Sequence, residues 1–419
     1  MKVFKFGGAS ISTIEGYRNV ASIIKNFSEN NLLVVISAMG KTTNALEQVI
    51  NAYTLNETQK ALDLFKQIKD AHNFLAQQLL KDSHSCIARL TDFYTEVEWL
   101  VHDYPVKEYD YYYDQIVCIG EMLSTTIMSY YLNEINIKTQ WIDVRDIIRT
   151  DDNFRDANID WSITAEHTKK IIESSIQENT VTITQGFVGA TDENESTTLG
   201  REGSDYTAAV FANLLNAESQ TIWKDVASVM NGDPKEISNT IPIPELNYDE
   251  VIEMAYYGAQ VIHPTTIKPL YTKNIPLYVK CFFDINLPGT VIHNGKIKSL
   301  PPIIVLKKDM VMIEFKTADY SFIGESNTTA LYQLFEKYNL RPRLTQNGAI
   351  NIMGVFDNKG DKIQQLAAEA AQLFTVNLTS QVQLLTIRHY NDDIIQQYID
   401  NKNILVEQKT PQTLLVAYL

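Results

Sequence analysis

The stretch Lys2-Val3-Phe4-Lys5-Phe6-Gly7-Gly8-Ala9-Ser10 decides how the rest of the chain is read. Lys2 to Phe6 reads as a β-strand that carries Lys5 near its end and runs into a turn of two glycines. Without side chains, the amides of Gly7 and Gly8 can approach phosphate oxygens closely, and a helix starting after them would aim its N-terminus at the anion. Taken alone, the glycine pair fits a tight strand-to-helix bend equally well.

Beyond this turn, β-branched runs at Leu32 to Ser37, Thr139 to Asp143, Thr180 to Thr184, Thr221 to Val226 and Leu277 to Cys281 alternate with helical patterns. The helices are placed near Glu15 to Phe27, Tyr111 to Leu132, Trp161 to Ile176, Asp205 to Leu215 and Tyr248 to Tyr257. Such strands belong in the buried centre of a mostly parallel sheet, and the alternation predicts an α/β layered domain. Leu62, Phe65, Ile68, Leu75 and Leu79 recur at helical spacing, so about Leu46 to Val101 reads as a helical excursion. Pro301-Pro302 marks a domain boundary. After it, strands at Val311 to Phe315, Pro342 to Thr345 and Ile350 to Phe356 flank a helix at Thr328 to Tyr338. A shorter version follows in Val382 to Ile387, Asp392 to Tyr398, Ile404 to Glu407 and Thr413 to Tyr418. This is an imperfect βαββ repeat joined by a helix over Lys362 to Leu373, a kind of pair that binds small effectors or forms dimer contacts.

With 419 residues, 45% hydrophobic and 21% charged, the chain can bury two or three cores. A net charge of -15 argues against nucleic-acid or anionic-membrane partners, so an anionic ligand needs a local basic site. Cys86, Cys118 and Cys281 have no zinc-type spacing and read as reduced thiols. The chain runs directly into the Lys2 to Phe6 strand, so no signal peptide is expected; no uninterrupted apolar stretch is long enough to span a bilayer, and a cytoplasmic location is expected.

Further segments carry chemistry. Ser37 to Asn44 repeats the strand-turn-helix grammar, with Ser37, Thr43 and Asn44 at the carboxyl edge of the sheet, although Thr43 or Asn44 could simply cap a helix. Thr198-Leu199-Gly200-Arg201-Glu202-Gly203-Ser204-Asp205 is the most specific: Arg201 could grip a carboxylate in a fork, and Asp205 could orient Lys5. Glu121, after Gly120, reads on its own as an exposed residue of an amphipathic helix. Buried in that apolar segment, it would need a cationic partner such as a substrate ammonium. Trp223-Lys224-Asp225-Val226 and Asn231-Gly232-Asp233-Pro234-Lys235 fit a nucleotide, or an ordinary turn. His263 reads as structural, and no metal-ligand spacing is visible.

In order, these segments resemble the amino-acid kinase family, and within it the aspartokinases. Lys5 to Ser10 is similar to the KFGGTS opening and Ser37 to Asn44 to SAxxGxTN. Gly120-Glu121, Trp141 to Arg145, Arg149 to Asp152, Thr184 to Phe187, Thr198 to Asp205, Trp223 to Lys235 and Gly258 to Pro264 follow in family order. The resemblance implies a three-layer amino-acid kinase fold over residues 1–300, followed by a paired, ferredoxin-like ACT regulatory region over residues 303–419. It also implies ATP-dependent phosphorylation of L-aspartate to 4-phospho-L-aspartate, the entry to lysine, threonine and methionine synthesis, with Mg²⁺ carried by the ATP phosphates. By the same resemblance, Lys5 and Asp205 are catalytic, and Thr43, Glu121, Arg201 and Ser204 bind the substrate. Lys5, Gly7, Gly8, Ser10, Lys224, Asp225, Met230, Lys235, Gln260 and Val261 take the nucleotide. A homodimer through the ACT units and an amino-acid effector are expected.

Lys41, Glu202, Met230 and Gln260 depart from the family pattern, in place of glycine, glycine, tyrosine and lysine. Arg343 replaces an aspartate that lysine-inhibited relatives use for the effector ammonium, and the second ACT unit lacks its usual last helix, so inhibition by lysine is not expected. Two rival readings stay open: the same fold with another acceptor, such as a different amino acid or a carbamate-type anion, and a catalytically weak sensor acting through its ACT pair, which draws on these departures.

Overall fold

β1 (Lys2–Phe6) forms as expected and lies inside a sheet, because parallel neighbours occupy both of its edges. Those neighbours are β2 (Leu32–Ile36) and β7 (Ser219–Lys224). A computed structural model describes residues 1–28, 31–178, 181–259 and 261–419. The chain divides into two units, one of Met1–Val229, Pro244–Ile252 and Val261–Ile297, the other of Met230–Ile243, Glu253–Gln260 and Lys298–Leu419.

The first unit is built on an eight-stranded sheet of order β3-β4-β2-β1-β7-β9-β10-β8. Here β3 is Thr139–Trp141, β4 Val181–Gln185, β8 Glu245–Asn247, β9 Leu277–Cys281 and β10 Thr290–His293. The six strands from β3 to β9 are parallel, while β10 runs antiparallel to β9. A hairpin of β5 (Val188–Ala190) and β6 (Ser196–Thr198) stands apart. β5, β6, β8 and β10 were not anticipated, since three or four residues show too little periodicity. Thr180, expected to open β4, lies outside the described residues.

Side-chain alternation along β1 sends Phe4 and Phe6 to one face, where Phe4 meets Phe27 of α1 (Ile14–Phe27) at 5.1 Å and Phe6 stacks on Trp223. Lys5 points to the other face, toward the helix Gly203–Leu214. Helices therefore cover both faces, the layered arrangement expected. The excursion after β2 is three helices, α2 (Thr42–Thr54), α3 (Thr58–Leu79) and α4 (His84–His102). The single helix expected over Tyr111 to Leu132 is two, α5 (Tyr109–Val117) and α6 (Ile119–Glu134), which meet at Cys118. In chain order, the helices after α6 are α7 (Trp161–His167), α8 (Glu173–Glu178), α9 (Gly203–Leu214), α10 (Tyr248–Tyr257) and α11 (Pro264–Thr272).

The second unit contains a six-stranded antiparallel sheet, β12-β13-β11-β14-β16-β15. Its strands are β11 (Ile303–Thr317), β12 (Pro342–Asn347), β13 (Asn351–Asp357), β14 (Phe374–Arg388), β15 (Ile404–Lys409) and β16 (Thr413–Tyr418). Helices α12 (Glu325–Lys337), α13 (Asp361–Ala370) and α14 (Asp392–Ile399) complete two βαββ repeats joined by α13, as the sequence suggested. Each repeat places its first strand at the centre and its second at an edge. β11 and β14 are 15 residues each and pair from Ile303↔Arg388 to Thr317↔Phe374, far beyond the short runs expected. The first half of β14, Thr375 to Gln381, is largely exposed and polar, so no apolar run announced it. Among the described residues, no helix is long and apolar enough to cross a membrane.

Candidate active site

The site lies at the carboxyl edge of the first unit's sheet, where loops after β1, β2 and β4 converge. Gly8 sets how closely the first two loops approach. A Cβ there would fall 2.5 Å from the Ala38 carbonyl oxygen and 2.9 Å from that of Gly40, while the Gly8 carbonyl accepts the Gly40 N–H at 3.0 Å. Backbone oxygens cannot swing aside, so Gly8→Ala is expected to destabilise the protein by about 1–3 kcal/mol, read by urea denaturation. Unchanged stability would mean that the loops separate freely. Gly120 plays the same part for α6, since a Cβ there would sit 2.9 Å from the Ala38 Cβ. This contact carries Glu121 into the edge of the sheet.

Lys5, Thr43, Glu121, Arg201, Ser204 and Asp205, the six residues expected to do chemistry or bind the acceptor, line one cavity of about 410 Å³. Lys5 Nζ stands 2.7 Å from Asp205 Oδ1, the side chains 13% and 4% exposed. Glu121 is 3% exposed, not the surface residue that its helix alone suggested, and its Oε2 has no hydrogen-bond partner among the described residues. Burial pushes its pKa up to about 8, against the backbone N–H groups of Ala38 and Glu121 and the charge of Lys5, all of which favour the anion. Ser204 is buried and Arg201 exposed. Neither Thr43 nor Asn44 caps α2, whose N-cap is Lys41.

Of the residues expected on the nucleotide side, Gly7 lies against Lys5, a Cβ there falling 3.4 Å from Nζ. Ser10 is buried and its hydroxyl donates to the Gly7 carbonyl at 2.6 Å. Lys224, at the end of β7, donates to the Val261 carbonyl at 2.7 Å, and Asp225 beside it is exposed. Met230 and Lys235 belong to the second unit, where Met230 bridges Pro242 and Lys235 is exposed. Gln260 lies outside the described residues. His263 is structural, as expected: its ring nitrogen Nδ1 caps α11 and its N–H donates to Glu202 Oε2 at 2.9 Å.

Sequence reasoning missed Tyr113, Arg155 and Phe187, which also line the cavity. Arg155 (φ 70°), Phe187 (φ 72°) and Glu202 (φ 55°) all hold left-handed backbone. Among the described residues of the first unit, they are the only ones outside glycine, asparagine and aspartate to do so, and each borders the cavity. Such conformations cost about 1–3 kcal/mol each and collect at functional sites. Residue type gives no hint of them. Buried Asp114 ties two of the loops together, accepting from Thr198 N–H (2.8 Å), Thr198 Oγ1 (2.7 Å) and Arg155 N–H (2.9 Å). Burial raises its pKa to about 6, opposed by those donors.

A paired lysine, a buried carboxylate with a free oxygen and an arginine thus stand around one cavity. The sequence pattern of the amino acid kinase family matches residues 1–281, and the chain belongs to that family. Within it, the similarity is to aspartokinases. The chain is 30% identical over 399 residues to "Aspartokinase 3, chloroplastic" of Arabidopsis thaliana, covering 90% of this chain and 69% of that protein. It is 30% identical over 366 residues to "Aspartokinase 1, chloroplastic" of the same plant, 85% of this chain, and spans 63% of that protein's length. The crystal structure of E. coli aspartokinase III in complex with aspartate and ADP (R-state) superimposes with a TM-score of 0.83 at 25% identity, covering 100% of this chain and 96% of the other.

Proposed function

We propose that the protein is an ATP-dependent aspartate kinase, transferring the γ-phosphoryl group of ATP to the side-chain carboxylate of L-aspartate. The observation that carries this reading is the convergence of Lys5, Asp205, Glu121 and Arg201 on one cavity at the carboxyl edge of the sheet. The crystallised relative with aspartate and ADP supports both substrates.

An aspartate side chain, with a pKa near ~3.9, is already ionised at neutral pH, so the acceptor needs no general base. One carboxylate oxygen attacks the γ-phosphorus, the bond to the β,γ-bridging oxygen breaks and ADP departs. What the protein must supply is position and countercharge. In this reading Lys5, held by Asp205, neutralises the transferring phosphoryl group. Glu121 takes the α-ammonium and Arg201 the α-carboxylate, with Thr43 and Ser204 closing the acceptor side. The amides of Gly7 and Gly8, on a turn braced by Ser10, face the phosphates, and Lys224, Asp225 and Val261 border the nucleotide. Mg²⁺ would arrive on the ATP phosphates and offset their charge. Among the described residues, no group of three or more His, Cys, Asp or Glu is placed to hold it independently.

For the second unit we propose an amino-acid effector and self-association. A cavity of about 1340 Å³ there is lined by α12 and β12 residues including Tyr332 and Arg343. The E. coli aspartokinase III structure in complex with lysine and aspartate (T-state) supports effector control in a relative. Arg343 donates two bonds to Asp357 at 2.9 and 2.8 Å, a cation where a lysine effector would need an anion. The edge strands β12 and β15 are the surfaces offered for pairing.

The deciding experiment is aspartate-dependent ADP formation from MgATP, with hydroxylamine trapping of the acyl phosphate and glutamate run in parallel. Aspartyl hydroxamate is expected. A preference for glutamate, or tight aspartate binding without ADP, would replace this reading by another acceptor or by a sensor.

A further inference from the structure

We infer that Arg155 is a specificity-determining contact for the acceptor's carboxylates, an inference that rests on the aspartate reading above. Its backbone is the first observation. Arg155 holds φ 70° beside the cavity it lines, a conformation costly for a long side chain, and its N–H is pinned to the buried carboxylate of Asp114 at 2.9 Å. That cost is borne where the side chain is used.

The guanidinium is presented as a fork. Its carbon stands 4.3 Å from the ring centroid of Tyr113, which also lines the cavity, and 5.7 Å from that of Tyr109. Nη1 donates to Asp110 Oδ1 at 3.0 Å, between side chains 42% and 56% exposed, a pair that water largely screens. Nε and Nη2 make no hydrogen bond among the described residues, and that edge matches a carboxylate in geometry. An arginine stacked on an aromatic ring has also lost part of its rotamer freedom beforehand, so less is lost on binding.

Charge counting points the same way. Lys5 is matched by Asp205 and Arg155 by the exposed Asp110, while the Glu202 carboxylate accepts the His263 backbone N–H and keeps its charge. Two guanidiniums, Arg155 and Arg201, then face the cavity beside the carboxyl groups of Glu121 and Glu202. Aspartate brings two carboxylates, one for each guanidinium, and one ammonium for Glu121. An amino acid with a neutral side chain would leave the Nε–Nη2 edge of Arg155 without a carboxylate, so Arg155 favours dicarboxylic acceptors.

The test compares wild type with Arg155→Gly and Arg155→Lys. Glycine adopts φ 70° without strain, so Arg155→Gly removes the fork while relieving the backbone. Its KM for aspartate is expected to rise at least about tenfold with kcat and the KM for ATP within about twofold, the pattern of lost ground-state binding. Arg155→Lys keeps the charge without the fork and should fall between. Inhibition by succinate, a dicarboxylate lacking the ammonium, should weaken in parallel, and the melting temperature should not drop. An aspartate KM within twofold of wild type in Arg155→Gly, or a rise confined to ATP, overturns the inference alone. A wild-type protein with no aspartate-dependent ADP formation overturns the aspartate reading and this inference with it.

Discussion

Lys5→Met is expected to lower kcat by about a thousandfold while leaving the KM values for aspartate and ATP within a few-fold of wild type. The ammonium sits at the end of β1, 2.7 Å from a carboxylate that is almost wholly buried. It is therefore already in place before charge develops on the phosphoryl oxygens. Removing one such preorganised donor typically costs about 10²–10³ in rate. The same change strands Asp205, and breaking a buried pair from one side costs about 3–5 kcal/mol. A loss of activity could then reflect a loss of fold. The double variant Lys5→Met with Asp205→Asn separates the two, because it removes the stranded charge and should recover much of the melting temperature without recovering turnover. A folded Lys5→Met protein that retains a tenth of the wild-type kcat would exclude Lys5 from the chemical step.

The second large effect is a pH dependence through Glu121. With its pKa pushed up to about 8 by burial, the unliganded side chain is mostly protonated at neutral pH, yet it must be an anion to receive an ammonium. Aspartate binding then expels a proton. The KM for aspartate should fall by about tenfold per unit as pH rises from 6 toward 8, and level off above. Glu121→Gln should flatten this profile and raise the KM at pH 8 by about a hundredfold, the loss expected for one partner of a buried charge pair. Stability of the free protein moves oppositely. Because the folded pKa lies above the unfolded value near 4.5, the contribution of Glu121 is full below that value and is lost as pH rises through about 8. Above pH 8, Glu121→Gln should therefore melt higher than wild type. A flat KM profile in wild type would remove Glu121 from the ammonium site.

Much of this was legible because the informative residues are punctuation. Gly7-Gly8 and the Gly200 to Asp205 run stand where strands stop and helices start, and periodicity locates such joints well. The burial of Glu121 was not legible, because a helix buried on every side has no stripe to reveal which residues face outward. Arg155 and Phe187 escaped for another reason: positive φ is imposed by the loops around them, and nothing in an arginine or a phenylalanine announces it. The full length of β14 escaped because its first half pairs with β11 through backbone bonds beneath an exposed polar surface.

The place of β1 between β2 and β7 also sets a clock. Lys2 to Phe6 is made long before its partners, so one edge waits for Ser219 to Trp223 and Lys5 waits for Asp205. At roughly 5–20 residues per second the interval is about 10–40 s of synthesis. Throughout it the nascent chain carries Val3, Phe4 and Phe6, side chains that end almost wholly buried, on a strand with one bare edge. Folding of this strand therefore cannot finish until more than half of the sheet's chain has been made.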